Sequence, residues 1–323
     1  MCRPVVIERD DLSEPFGFPA ISVVIPCFNA ERFLASSLAS VQQQSLRAVE
    51  MLVVDDSSTD RSVEIAREWQ AIIVQNRGPK GPSGARNTGI HLARGAFVAF
   101  LDADDRWTAD HLEQLVKCQI RHSADLVSSG ARPLGVENLG KEPSLEDKVL
   151  SIDDLLAGNP ITQSAVLARR SALLEAHGYD AGMRHAEDYD LWLRLKMRGN
   201  VMVRSASVTC ERRRHAGQAS NAIGEMISAA WSSRMRQCLG VGVSPTQYER
   251  YIAAVQPAFL QDLAFAWYHG DRAARATLRR VSADHPALQE ALHLFESQNW
   301  AWPLARVLSV VRVAMGRSLP TSS

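Results

Sequence analysis

Four short apolar runs divide the first hundred residues: "ISVVIP", "EMLVVDD", "AIIVQN" and "AFVAFLD". Each is unbroken rather than alternating, as expected of strands buried on both faces. Helical patterns separate them. "AERFLASSLASVQQQ" sets Phe33, Leu34, Leu38 and Val41 on one face, and "RSVEIAREW" reads as a shorter helix. "GARNTGIHLAR" runs to a stop at Gly95, and "TADHLEQLVKCQIRH" places Leu112, Leu115, Val116 and Ile120 at i, i+3, i+4 and i+8. Strand alternating with helix predicts an α/β fold, Rossmann-like, with a mostly parallel sheet and helices on both faces. Pro26 is expected to stop the first strand. Residues 130–171 read as loop-rich. "AEDYDLWLRLKMRG" resumes a helix that Gly199 can end, and "NVMVRSASVTCERRRH" reads as a strand and a basic turn. Beyond residue 221 the chain becomes Ala-rich and amphipathic; "PAFLQDLAFAWYHGD" and "RAARATLRRV" predict a helical hairpin bent at Gly270-Asp271. The pattern divides the chain into an N-terminal extension (1–20), an α/β domain (21–221) and a C-terminal α-helical region (222–323).

Polar residues gather where the strands end: Pro26-Cys27-Phe28-Asn29, Asp55-Asp56-Ser57-Ser58 and Asp102-Ala103-Asp104-Asp105. Open α/β sheets bind ligands beyond these carboxyl ends. Carboxylates as close as Asp102, Asp104 and Asp105 repel one another and tend to hold protons, so a cation, an arginine cluster or water must offset them. The same residues also suit a solvated turn that caps "TADHL". Asp56 can accept from a nucleobase N–H, or "DSSTD" can cap the helix that follows it. "RGPKGPSG" is either a phosphate-proximal loop or a turn, and Arg86 either approaches a ligand or snorkels at a helix start. Glu187 and Asp188 open a helix whose N-terminus favours acids in any case. Arg212, Arg213, Arg214 and His215 suit phosphate, or simply form a solvated basic turn.

Charge narrows the choices. Lys plus Arg and Asp plus Glu number 36 each, so no global field favours nucleic acid. Five scattered cysteines (Cys2, Cys27, Cys118, Cys210, Cys238) form no CxxC pair and suggest reduced thiols in a cytoplasmic protein. The N-terminus does not read as a signal peptide. The most apolar stretch, "WAWPLARVLSVVRVAM", is interrupted by Pro303, Arg306 and Arg312.

Six motifs in order, "SVVIPCFNAERFLASSLASVQQQS", "LVVDDSSTDRS", "GARNTGI", "GAFVAFLDADDRW", "AEDYDLWLRL" and "RRRHAGQAS", resemble an inverting family 2 glycosyltransferase with the GT-A fold. The resemblance covers about residues 21–221. It implies that Pro26, Phe28, Asn29 and Asp56 hold the nucleobase. It further implies that Arg86, Asp102, Ala103 and Asp104 contact the rest of the nucleotide, and that Asp104, Asp105 and His215 serve a Mn²⁺ or Mg²⁺ ion. Asp188 takes the place of the catalytic base. The implied partners are a nucleotide-sugar donor, read as a UDP-sugar from Asp56, and a glycan or lipid-linked acceptor. A peripheral membrane contact through the C-terminal helices, at the inner membrane face, belongs to the same expectation. Tyr179, His185, Trp192 and "NPITQSAVLARR" are candidates for the acceptor side. A nucleotidyltransferase, or a nucleotide-sugar-binding module without turnover, are the rival readings. The absence of a "GxGTR"-like start argues against the first, and the presence of Asp188, Asp104 and His215 against the second.

Overall fold

The structure is a computed structural model that describes residues 18–135, 146–215, 222–238 and 242–297. Most of the N-terminal extension, the "AGQAS" end of the basic turn and the stretch after residue 297 lie outside the described residues. The first half forms as the apolar pattern predicts. Strands β1 (Ile21–Cys27), β2 (Glu50–Asp55), β3 (Ile72–Gln75) and β4 (Phe97–Phe100) lie parallel in the order β3-β2-β1-β4. Helices α1 (Leu34–Gln42), α2 (Ser62–Glu68) and α3 (Pro82–Leu92) make the crossovers, and α4 (His111–His122) follows β4. Central β1 buries Val23, Val24 and Ile25 completely, as a parallel strand covered on both faces must.

Pro26 does not stop that strand; pairing with β2 runs through Pro26↔Val54 to Cys27↔Asp55. The proline is tolerated because pairing with β4 has ended at Val24↔Phe100, so it needs a partner on one side only. Gly95 is required by proximity: a Cβ there would stand 2.6 Å from the Ser22 nitrogen.

The region read as loop-rich is more ordered than its pattern suggests. It contains the end of β6 (Leu126–Pro133), then β7 (Lys148–Val149), α5 (Ile152–Leu156), β8 (Val166–Arg169) and α6 (Arg170–Glu175). β8 inserts antiparallel between β4 and β6, while β9 (Met202–Arg212) runs parallel to β6 and antiparallel to β7 and to β5 (Arg106–Trp107). The nine-stranded sheet is therefore parallel across its first four strands and mixed beyond them. "VLAR" is four residues long and passes straight into a helix, so it carries too few positions for a period to emerge.

Helix α7 (Glu187–Met197) precedes β9, and α8 (Ile223–Cys238), α9 (Pro245–Tyr268), α10 (Arg272–Ala283) and α11 (Pro286–Ser297) follow it. α9 begins well before the predicted hairpin, at a Ser244 capping box with Gln247, and carries Pro257 inside it. The predicted bend is present: Gly270 has φ 68° and Asp271 caps α10 through the Ala274 N–H. One apolar cluster packs α1 and α4 on one sheet face. The other joins the opposite face to Trp192 and Leu193 of α7 and continues into Trp231, Phe259 and Leu278 of the last helices. Among the described residues no helix is long and apolar enough to cross a membrane.

Candidate active site

At the carboxyl edge of the sheet, the ends of β1 and β2 are tied together. The Asp56 N–H donates to the Cys27 carbonyl (2.8 Å). Asn29, with φ 48°, adopts a left-handed conformation that asparagine tolerates. Its side-chain oxygen accepts the Thr59 N–H at 2.8 Å, while its own N–H donates to Ser58 Oγ at 3.1 Å. This leaves Phe28 59% exposed beside the corner, a large apolar ring available to cover a planar ligand.

The N-cap of α2 is Arg61, with no side-chain cap bond, so Asp56 does not cap the helix; Asp55 and Asp60 hold the turn that leads into it. Asp55 accepts the Ser58 N–H (3.1 Å) and Asp60 the Ser62 N–H (3.0 Å). Asp56 instead binds the loop after β3, accepting Asn76 Nδ2 at 2.6 Å and the Gly81 N–H at 2.8 Å. A carboxylate has about four lone-pair sites, so acceptor capacity remains. Asn76 is a site residue that the sequence reading passed over; its only signal was a polar side chain at the end of an apolar run. It also supports Gly78 and Thr88. That loop folds so tightly that a Cβ on Gly84 would stand 1.8 Å from the Pro79 oxygen.

Arg86 does not snorkel. It is buried within α3, its Nη2 donating to Asp102 Oδ1 at 2.7 Å and its Nη1 to Glu187 Oε1 at 3.0 Å. The guanidinium also lies over the Tyr179 ring. Burial works against the charge on Asp102, yet the Arg86 guanidinium holds that carboxyl below its ordinary range.

The three carboxylates after β4 face three partners. Asp102 faces Arg86, Asp104 Oδ2 lies 2.9 Å from His215 Nε2, and buried Asp105 accepts the Arg213 N–H at 3.0 Å. Ser37 Oγ lies 2.7 Å from both the Ala103 and Asp105 carbonyl oxygens and steadies the turn. Burial, followed by the Asp102 and Asp104 charges, pushes Asp105 up to about 7. Phe33 of the first crossover stacks near His215 (5.1 Å between centroids) and under the Arg213 guanidinium. The basic turn is thus anchored onto the acidic one rather than left in solvent.

Glu187 and Asp188 stand at the start of α7, after Ala186 in a left-handed conformation (φ 55°). Their partners differ. Glu187 takes the Arg86 cation, whereas Asp188 accepts Asn159 Nδ2 at 3.3 Å and the Tyr189 N–H at 2.7 Å. Burial, then the Glu187 charge, pushes Asp188 up to about 6. Asp190, two residues on, is buried and paired with Arg194 at 2.7 Å. Trp192 and Tyr179 are core residues packed edge to face, so neither offers a sugar platform. His185 pairs with Glu225 of α8; Asn159, within "NPITQ", is the acceptor-side candidate that reaches Asp188.

Comparison with known proteins adds three findings. A family model described as "Glycosyl transferase family 2" matches residues 22–173. The chain is 28% identical, over 60% of its length and 76% of the relative's, to the Escherichia coli UDP-Glc:alpha-D-GlcNAc-diphosphoundecaprenol beta-1,3-glucosyltransferase WfgD. Two solved structures share its fold. One is S. aureus TarS 1-349 in complex with UDP-GlcNAc, with TM-score 0.61, 17% identity, and coverage of 88% of this chain and 94% of that one. Against another, longer TarS chain the match spans 43% of that chain. The other is the mannosyltransferase PcManGT from Pyrobaculum calidifontis in complex with GDP-Man and Mn²⁺, with TM-score 0.61, 20% identity, and coverage of 93% and 88%.

Proposed function

We propose, from the premise that this chain is a family 2 glycosyltransferase with the GT-A fold, that it moves a sugar with inversion from a UDP-sugar to a hydroxyl acceptor in glycan or polysaccharide biosynthesis. The α/β domain at residues 21–221 carries the chemistry, and the described helices α8 to α11 of the C-terminal region form a helical cap on it. In this reading Pro26, Phe28, Asn29 and Asp56 form the nucleobase corner. Arg86, Asp102, Ala103 and Asp104 hold ribose and diphosphate. The UDP-Glc donor and diphosphoundecaprenol acceptor in the name of the E. coli relative, and the UDP-GlcNAc held by TarS, favour a UDP-sugar and a lipid-linked acceptor.

The chemistry of the donor set fits a hard divalent cation. Asp104, Asp105 and His215 offer carboxylate oxygens and an imidazole at one turn, and burial of Asp105 among like charges leaves it short of positive charge. Mg²⁺ and Mn²⁺ favour such oxygen ligands. When bound, the ion would neutralise the departing diphosphate.

The single observation that carries the mechanism is the division of labour at α7. Arg86 pairs directly with Glu187, while its neighbour Asp188, without such a partner and raised by burial and the Glu187 charge, is the more basic carboxylate. A base with a pKa near 6 is mostly ionised at neutral pH yet more basic than an ordinary aspartate. Asp188 removes the acceptor hydroxyl proton while Asn159 holds its other oxygen. General-base catalysis contributes about 10²–10⁴-fold. In single-turnover transfer, Asp188→Asn is expected to slow the reaction by that factor with donor affinity nearly unchanged. A variant within about threefold of the parent, well outside the range for a base, would refute the assignment.

A further inference from the structure

Towards the far end of α4, a helix of twelve residues about 18 Å long, lies a second cluster that the transfer chemistry does not use. We propose that Cys118, His122 and Asp147 form a binding site for a zinc-like divalent cation. Cys118 and His122 are four residues apart on one helix, so their side chains share a face; the same spacing brings paired ligands together in helical zinc sites. Asp147 arrives from the segment after β6 and completes the group. One ligand atom from each residue lies within 4.8 Å of the others, close enough for small rotamer shifts to enclose an ion.

The surroundings support the assignment. A cleft of about 390 Å³ opens onto the cluster, lined also by Arg121, Ser205 and Ser207; it supplies the fourth position with room for water or a small ligand. The carboxylate is already oriented. The Ala206 N–H donates to Asp147 Oδ1 at 3.0 Å, and the Arg121 guanidinium contacts Oδ2. Supporting bonds of this kind orient metal ligands. His122 Nε2 meets the same Oδ2 at 3.0 Å, so both donors already converge. As a sulfur–metal bond forms, the Cys118 thiol proton leaves to solvent.

A thiolate–imidazole–carboxylate set selects zinc over magnesium or manganese. The two ends of α4 would therefore take different ions. An ion here would pin the end of α4 to Asp147 and, through Ala206, to β9.

Titration of the reduced full-length protein with Co²⁺, in excess Mg²⁺, tests the site by a readout independent of transfer. The expected result is a near-ultraviolet thiolate-to-cobalt charge-transfer band with four-coordinate visible absorption, bleached by Zn²⁺. Cys118→Ser should abolish the near-ultraviolet band. His122→Gln should weaken Co²⁺ binding by more than the about tenfold that loss of a supporting hydrogen bond costs. Circular-dichroism melting establishes that each variant is folded; if the serine variant is not, the His122→Gln titration decides alone. Absence of the band in the parent overturns the proposal. So does its persistence in folded Cys118→Ser, which would put the metal on another cysteine, or unchanged binding by His122→Gln.

Discussion

At the residue scale, the acidic groups are distinguished by their partners rather than by their neighbours in sequence. Asp188 stands above its ordinary 3.8, at about 6, through burial and the Glu187 charge. Its neutral form is thus favoured by folding. The stability it contributes rises as pH falls from about 6 towards 4, while the ionised base that transfer requires is lost over the same window. The expected kcat profile has an acidic limb with a midpoint near 6, falling about tenfold per pH unit below it. A profile flat to pH 5 would contradict the role of Asp188. Arg86 gives the second test. Its planar fork reaches two carboxylates at once, and a lysine, as a point charge, cannot. Arg86→Lys is expected to lower stability by about 1.5–3 kcal/mol, the range for hydrogen bonds to charged groups. It should also slow single-turnover transfer, because the Asp102 turn and the start of α7 lose their common tether. Denaturant midpoints together with the transfer rate check both effects.

At the element scale, α7 is held from behind by the C-terminal helices. Arg234 of α8 is buried; its Nε donates to the Tyr189 hydroxyl at 2.9 Å, and its Nη1 lies 3.7 Å from Asp262 of α9. Trp231 donates from its indole to the same Asp262 carboxylate at 2.7 Å, and Tyr189 reaches back to the Leu155 carbonyl at 2.5 Å. Tyr189 directly follows the proposed base, so this network makes the helical cap part of the site's support. Arg234→Met keeps much of the apolar stem but removes the donor to the Tyr189 hydroxyl and the cation beside Asp262, whose carboxyl burial already pushes upward, leaving that carboxylate the Trp231 indole alone. Losing a buried charged partner of this kind costs about 1–3 kcal/mol, read as a shift in urea midpoint with unchanged slope. The kcat should fall more than donor affinity, because α7 carries the proposed base and the proposed donor site lies at the strand ends. An unchanged kcat would mean that the cap supports folding alone.

At the scale of the whole molecule, bound donor should register as stability. A nucleotide at about 100 times its dissociation constant adds about 2.7 kcal/mol. UDP with Mn²⁺ is expected to raise the melting temperature more than ADP with Mn²⁺, and a chelator to reverse most of the shift; equal shifts for UDP, GDP and ADP would remove Asp56 as a base reader. The sequence alone determined the four parallel strands, because unbroken β-branched runs and amphipathic helices are local patterns that solvent exclusion reads directly. It also determined that the polar residues lie at the strand ends. Of the mixed half of the sheet it read only β9, since β8 and β7 are too short for periodicity and their partners are distant in the chain. Only the tertiary structure decided that Arg86 spans Asp102 and Glu187, that Asp190 is buried against Arg194, and that Trp192 is core. The Arg86 pairings join groups 16 and 101 residues apart in the chain, and a pairing at such separation leaves no periodic trace in the sequence; Asp190 and Arg194 are a local i,i+4 pair, and their burial, like that of Trp192, depends on what packs over α7.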